Sequence, residues 1–173
     1  MTVNSSLGTF TRSSNAAAGT PRLYLREDEL DNGVSMILGA AQKLKSATSA
    51  QRKAFGLTWS ETRCLLQAMG QSIPVLVMAT ALDLTKQTIL KTLEALEGRG
   101  LILRTNDTQD GRRKLVTLTQ EGLVLAQDLA LALRVCLAGA YKGAGSEAVA
   151  GCDKVLTILT QTQNPPSRSG PTS

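Results

Sequence analysis

The sequence predicts a mainly α-helical chain with one small β-hairpin, and three observations predict it. Aromatic residues make up only 3% of the 173 residues, while Ala, Leu and Thr are plentiful, a mixture that favours helices over extensive sheet. Apolar residues recur at helical spacing in six separate segments. One pair of short strand-like runs brackets the polar stretch TNDTQDGRR, whose Asn, Asp and Gly are turn formers.

Taken in order, residues 1–20 and 162–173 are too polar and too rich in Ser, Thr, Pro and Gly to pack, and are expected to be disordered tails around a single domain at 21–161. From about Leu23 to Ser46, the residues Leu30, Val34, Ile37, Leu38, Ala41 and Leu44 form one apolar face of a long helix. Thr58-Trp59-Ser60-Glu61 fits a capping box, in which the threonine hydroxyl accepts an amide proton and the glutamate reaches back, and it opens a helix that Gly70 ends. Ser72 and Pro74 open a short helix to Leu82, with serine as the expected cap and proline in the first turn. After Asp83-Leu84, Thr85 caps a helix to about Gly98 that buries Ile89, Leu93 and Leu96, and Gly100 stops it. Leu101–Arg104 and Lys114–Leu118 are the hairpin strands. Helices over about 120–141 and 146–161 complete the order α-α-α-α-β-β-α-α.

Composition limits the chemistry. The chain has no histidine, and its three cysteines, Cys64, Cys136 and Cys152, lie far apart. A disulfide framework, a Cys/His zinc site and histidine-based acid, base or nucleophile catalysis are therefore not expected. No metal, cofactor or catalytic residue is assigned and an enzyme is disfavoured. Nineteen Lys and Arg against 14 Asp and Glu leave a net charge of +5 and a pI near 9.4, which permits a polyanionic partner without requiring one. The first residues form neither a signal core nor a transit pattern, and no apolar run is read as reaching membrane-spanning length, so a cytoplasmic protein without a membrane partner is expected.

Placement of the charge is more informative. Between Leu84 and Leu118 there are seven cations (Lys86, Lys91, Arg99, Arg104, Arg112, Arg113, Lys114) and four acids (Glu94, Glu97, Asp107, Asp110), so +3 of the chain's +5 lies in a fifth of its length. Two helices joined by a tight turn and followed by a cationic hairpin form a winged helix-turn-helix, which sets its second helix in the major groove of duplex DNA and its hairpin at the minor groove. With Ile89, Leu93 and Leu96 turned inward, Gln87 and Lys91 point outward, and Thr85, Lys86 and Thr88 share the helix start. Gln87 suits adenine, and Lys91 suits guanine or phosphate. Arg112 and Arg113 crown the hairpin, where an arginine can enter a narrow minor groove. Asp110 is expected to hold the hairpin or orient Arg112.

The runs LTWSETRCLLQAM, LDLTKQTILKTLEALEGRGLILR and DGRRKLVTLTQEG resemble the multiple antibiotic resistance regulator (MarR) family, including the Asp-x-Arg pattern of its wing at Asp110 and Arg112. The resemblance spans roughly residues 23–161. It implies residues 57–118 as the DNA-binding module, residues 21–46 and 119–161 as dimerisation helices, a homodimer on a palindromic operator, and repression relieved by a small molecule or an oxidant. Val149, Cys152, Leu156 and Leu159 repeat at 3, 4, 3 on the last helix, beside Leu129, Ala132, Leu133, Cys136 and Leu137 on its neighbour, which suits such a dimer. By resemblance, an effector would bind near Met36, Trp59, Arg63 and Cys64.

Two departures from the family stand out. Asp83 occupies the turn where glycine is usual, and the helix IPVLVMATAL is unusually apolar, pointing either to extra packing or to an apolar pocket beside it. The alternatives that remain are a winged-helix interaction scaffold without DNA binding and a cysteine-based oxidant-sensing regulator.

Overall fold

The computed structural model describes residues 26–108, 110–111 and 113–161. The expected tails, 1–20 and 162–173, lie outside this range, as do residues 21–25, Gln109 and Arg112. Ten elements follow in order: α1 (Glu27–Ala47), α2 (Ser49–Ala54), α3 (Trp59–Gln67), β1 (Ile73–Pro74), α4 (Val75–Ala81), α5 (Lys86–Gly98), β2 (Ile102–Asn106), β3 (Lys114–Leu118), α6 (Gln120–Ala144) and α7 (Ser146–Gln161). The chain divides into two compact units between Leu38 and Gly39, inside α1.

In the first unit, Glu27, Asp28 and Glu29 occupy the first turn of α1, where negative charge complements the helix dipole. The backbone N–H of Arg26 donates to the Glu29 carboxylate at 3.4 Å. Leu30, Val34, Met36, Ile37 and Leu38 are all exposed.

The second unit is built by local capping and closed by a core. Thr58, Thr85 and Thr119 are the N-caps of α3, α5 and α6, each hydroxyl accepting the N–H three residues on. The expected capping box is complete: Thr58 N–H donates to the Glu61 carboxylate at 2.6 Å, and Glu61 N–H donates to the Thr58 hydroxyl at 3.2 Å.

Three helices end alike. In each, a residue with positive φ (Gly56, Asp83 or Gly100) is followed by a leucine whose N–H returns to the carbonyl five residues back: Leu57 to Arg52 at 2.8 Å, Leu84 to Ala79 at 2.9 Å, and Leu101 to Leu96 at 3.0 Å. Asp83, at φ 51°, is the only non-glycine with positive φ among the described residues, so aspartate takes the left-handed turn that the sequence placed there.

The leucines of these turns feed the core. Leu57 and Leu101 join Leu65, Met78, Ile89, Leu93, Leu96, Ile102, Val116, Leu125 and Leu129, while Leu84 packs against it. The sheet has strand order β1-β3-β2 and is antiparallel throughout, with Ile73 opposite Val116 and Arg104 opposite Val116 on the other side.

Four details correct the sequence reading. α2 is a separate short helix that was not expected. Ser72 does not cap the next helix: Ile73-Pro74 pairs with β3, Pro74 becomes the N-cap without a side-chain bond, and the Ser72 hydroxyl meets that of Thr117 at 2.9 Å. A two-residue strand containing proline has no periodicity to read. The hairpin's first strand runs on to Asn106. Finally, α6 is, by length and composition, able to cross a membrane, with 25 residues and a mean hydropathy of 1.7 in its most apolar stretch. Its first half packs Gly122, Leu125, Ala126 and Leu129 into the core. Its second half leaves Leu131, Val135, Leu137 and Tyr141 exposed.

Candidate nucleic-acid interface

The site is assembled from α4, α5 and the β2-β3 hairpin. Burying Ile89, Leu93 and Leu96 turns Thr85, Lys86, Gln87, Thr88 and Lys91 to the surface, as their spacing requires. Thr85 and Thr88 have more than one duty. The Thr85 hydroxyl accepts the Thr88 N–H at 3.2 Å and lies 2.8 Å from the Thr88 hydroxyl, so both side chains also close the first turn.

The cations sort into paired and unpaired groups, which a sum over the sequence does not distinguish. Arg99 reaches the buried Glu61 at 3.3 Å. Arg104 is bound by Glu97, and Arg113 lies 3.9 Å from Asp107. Among the described residues Lys86, Lys91 and Lys114 have no carboxylate within ion-pair distance, leaving them available for an external anion.

At the hairpin tip, Arg113 N–H donates to the Asp110 carbonyl at 2.8 Å and Asp107 N–H donates to the Arg113 carbonyl at 2.9 Å. These two bonds tie Arg113 to Asp107 and Asp110 and hold it, half exposed, at the base of the tip. The expected pairing of Asp110 with Arg112 falls partly outside the described residues.

An open groove of about 1110 Å³ runs beside α4, between α5 and the hairpin. Leu76, Val77 and Leu90 give it an exposed apolar wall, and Lys86, Arg104 and Lys114 line its other parts. Of the two alternatives left by the apolar helix IPVLVMATAL, both are realised: Met78 and Ala79 pack inward while Leu76 and Val77 border the groove.

The residues proposed for an effector have other surroundings. Cys64 is buried in the core, and burial pushes its thiol up to about 12, with Arg63 opposing and Glu61 adding to the effect. Arg63 donates to the Leu82 carbonyl at 2.8 Å and so closes the end of α4. The Trp59 ring lies 5.9 Å from the Arg52 guanidinium carbon. Met36 belongs to the first unit and is exposed. None of the four lines the groove beside α4.

Sequence reasoning missed three positioning residues: Glu97, Arg99 and Gly122. The first two are charged residues in the last turn of α5 and at its C-cap, whose partners are visible only once the chain is folded. For Gly122 the requirement is steric, since a Cβ there would lie 1.9 Å from the Leu101 carbonyl oxygen.

Comparison with known proteins agrees with this geometry. No family model matches the chain. The HTH-type transcriptional regulator PetP of Rhodobacter capsulatus is 36% identical over 87 residues, 50% of this chain and 52% of PetP, so the chain spans about half the length of the curated relative it matches. Among solved structures, CouR from Rhodococcus jostii RHA1, bound to p-coumaroyl-CoA, superposes with a TM-score of 0.66 at 23% identity, covering 78% of this chain and 95% of CouR. AbsC, a MarR family transcriptional regulator from Streptomyces coelicolor, gives 0.64 at 18% identity over 82% of this chain and 97% of its own. The S. aureus MepR–DNA complex gives 0.63 at 21% identity over 75% and 97%.

Proposed function

We propose that this chain, whose fold is the winged helix-turn-helix of the MarR regulators, is a cytoplasmic transcriptional regulator that binds duplex DNA as a homodimer. The observation that carries the reading is the outer face of α5: Lys86, Gln87 and Lys91 are exposed beside a cationic hairpin, with no carboxylate pairing either lysine among the described residues. Such a face has donors for base edges and charge for phosphate. In this reading Thr85, Lys86, Gln87, Thr88 and Lys91 lie in the major groove, and Arg112 and Arg113 reach the minor groove, with Asp110 shaping the hairpin that carries them.

The homodimer is supported by apolar surface that a single copy leaves open. No residue of α7 is buried, and Val155, Leu156, Ile158 and Leu159 are 42–59% exposed. A second copy covering α6 and α7 would remove that surface from water. Two copies would present two reading helices about one helical turn of DNA apart, which calls for a palindromic operator with half-sites roughly 10 base pairs apart.

Repression relieved by a small molecule completes the reading. It is supported by the solved complex of CouR with p-coumaroyl-CoA, a protein of the same fold. The test is selection of duplex fragments from a random pool by the purified chain, followed by gel shift with salt titration. A shared palindrome and an affinity that falls steeply with salt are expected. Recovery of no common sequence at low salt would reject DNA recognition in favour of an interaction scaffold.

A further inference from the structure

We propose that Glu97 is the positioning residue of the wing: its carboxylate, in the last turn of α5, holds the edge strand β2 through Arg104 and makes reading helix and hairpin one rigid unit. This rests on the DNA-binding reading above and goes beyond it, because Glu97 is an acid with no role in contacting DNA.

The geometry begins with the sheet. In the order β1-β3-β2, strand β2 has a partner on one side only. A strand edge leaves backbone N–H groups without a ladder partner, and these need another acceptor. Glu97 supplies one: the Arg104 backbone N–H donates to its Oε1 at 3.3 Å. The other carboxylate oxygen accepts from the Arg104 guanidinium twice, from Nε at 2.8 Å and from Nη2. One side chain thus takes three donors of a single residue seven positions on. A carboxylate held this way has lost its freedom to swing, and so has the strand it holds.

Electrostatics point the same way. Hydrogen bonding to Arg104 holds the Glu97 carboxyl below its usual range, and the charge of Lys114 on β3 adds to the effect. Lys114 acts from beyond ion-pair distance, so Arg104 is the cation bonded to this acid. At the far end of the hairpin, Arg113 is held by its backbone bonds to Asp107 and Asp110. A small change in pitch at Arg104 becomes a larger displacement at that tip, because the hairpin is a lever whose near end is Glu97. Contacts made by Gln87 and Lys91 from α5 itself do not pass through this joint.

The test uses the full chain. Amide exchange read by NMR is expected to be about 10-fold faster at Arg104 in Glu97→Gln than in the parent, with amides bonded between β2 and β3 unchanged. On a duplex that the parent has selected from a random pool, Glu97→Gln is expected to bind about 5- to 50-fold more weakly. In a background of Arg112→Ala with Arg113→Ala the same change is expected to cost little more, because the lever no longer has a tip to place. Additive losses, or parental affinity in Glu97→Gln with a freed Arg104 amide, would overturn the positioning role. If the parent selects no duplex, the DNA-binding reading fails by itself; unchanged exchange at Arg104 would then refute the clamp independently.

Discussion

At Gly122 the backbone of α6 comes so close to the turn after α5 that a methyl group has nowhere to go. Thr119 prepares the approach: its N–H donates to the Leu101 carbonyl at 3.1 Å, and its hydroxyl donates to the Gly100 carbonyl at 2.7 Å while accepting from Gly122 N–H. Gly122→Ala drives a Cβ into the Leu101 carbonyl, and is expected to lower stability by at least about 2 kcal/mol in denaturant unfolding. Cys64 invites a second residue-scale prediction. Its native thiol stays protonated to about pH 12, whereas the unfolded thiol ionises near its ordinary value of 9.0. The folded state therefore holds the proton more tightly, so this group's contribution is fully present below pH 9 and declines as pH rises from there toward 12. Cys64→Ala is expected to flatten that alkaline decline. In the native protein a thiol reagent should leave Cys64 unmodified until the chain unfolds, and prompt modification would contradict the buried environment.

At the scale of elements, the recognition unit is a set of caps and turns that orient α4, α5 and the hairpin. The three Leu-terminated helix ends set the chain direction into α3, α5 and β2, and each places its leucine in or against the core. Most of this is legible in the sequence. Thr58-Glu61, Thr85, Asp83 and Gly100 act within about five residues of themselves, so their bonds can be read from spacing. β1 could not be read, because its pairing with β3 joins residues more than 40 positions apart and rests on two residues. In the proposed DNA-binding reading, the hairpin and α5 make separable contributions. Arg112→Ala is expected to weaken operator binding by about 1–3 kcal/mol, with the loss concentrated on sites that have a narrow flanking minor groove. Lys91→Ala should change base preference if the lysine reads guanine, or reduce the salt slope by about one if it meets phosphate. Parental behaviour in both variants, measured by fluorescence anisotropy across a salt series, would rule out this placement of helix and wing.

At the scale of the whole molecule, the unresolved need is cover for apolar surface. Leu131, Val135, Leu137 and Tyr141 on α6 and Val155, Leu156, Ile158 and Leu159 on α7 remain 41–65% exposed, which a stable soluble monomer rarely tolerates over so long a stretch. A second copy is the proposed cover. Leu156→Asp combined with Leu159→Asp is expected to shift the chain from dimer to monomer in sedimentation equilibrium, and to abolish preference for two half-sites over one. A parent that sediments as a monomer would remove this part of the proposal. The sequence by itself determined where α3, α5 and α6 start, which face of α5 is buried, and that the exposed face carries Lys86, Gln87 and Lys91. Those outcomes depend on bonds and periodicities that close within a turn or two of the chain. Only the tertiary structure decided that Arg63 serves the end of α4, that Arg99 and Arg104 are tied to Glu61 and Glu97, and that residue 122 must lack a side chain. Each of these requires two segments to meet across the core, and a charge or a glycine has no local signature of the partner it will find there.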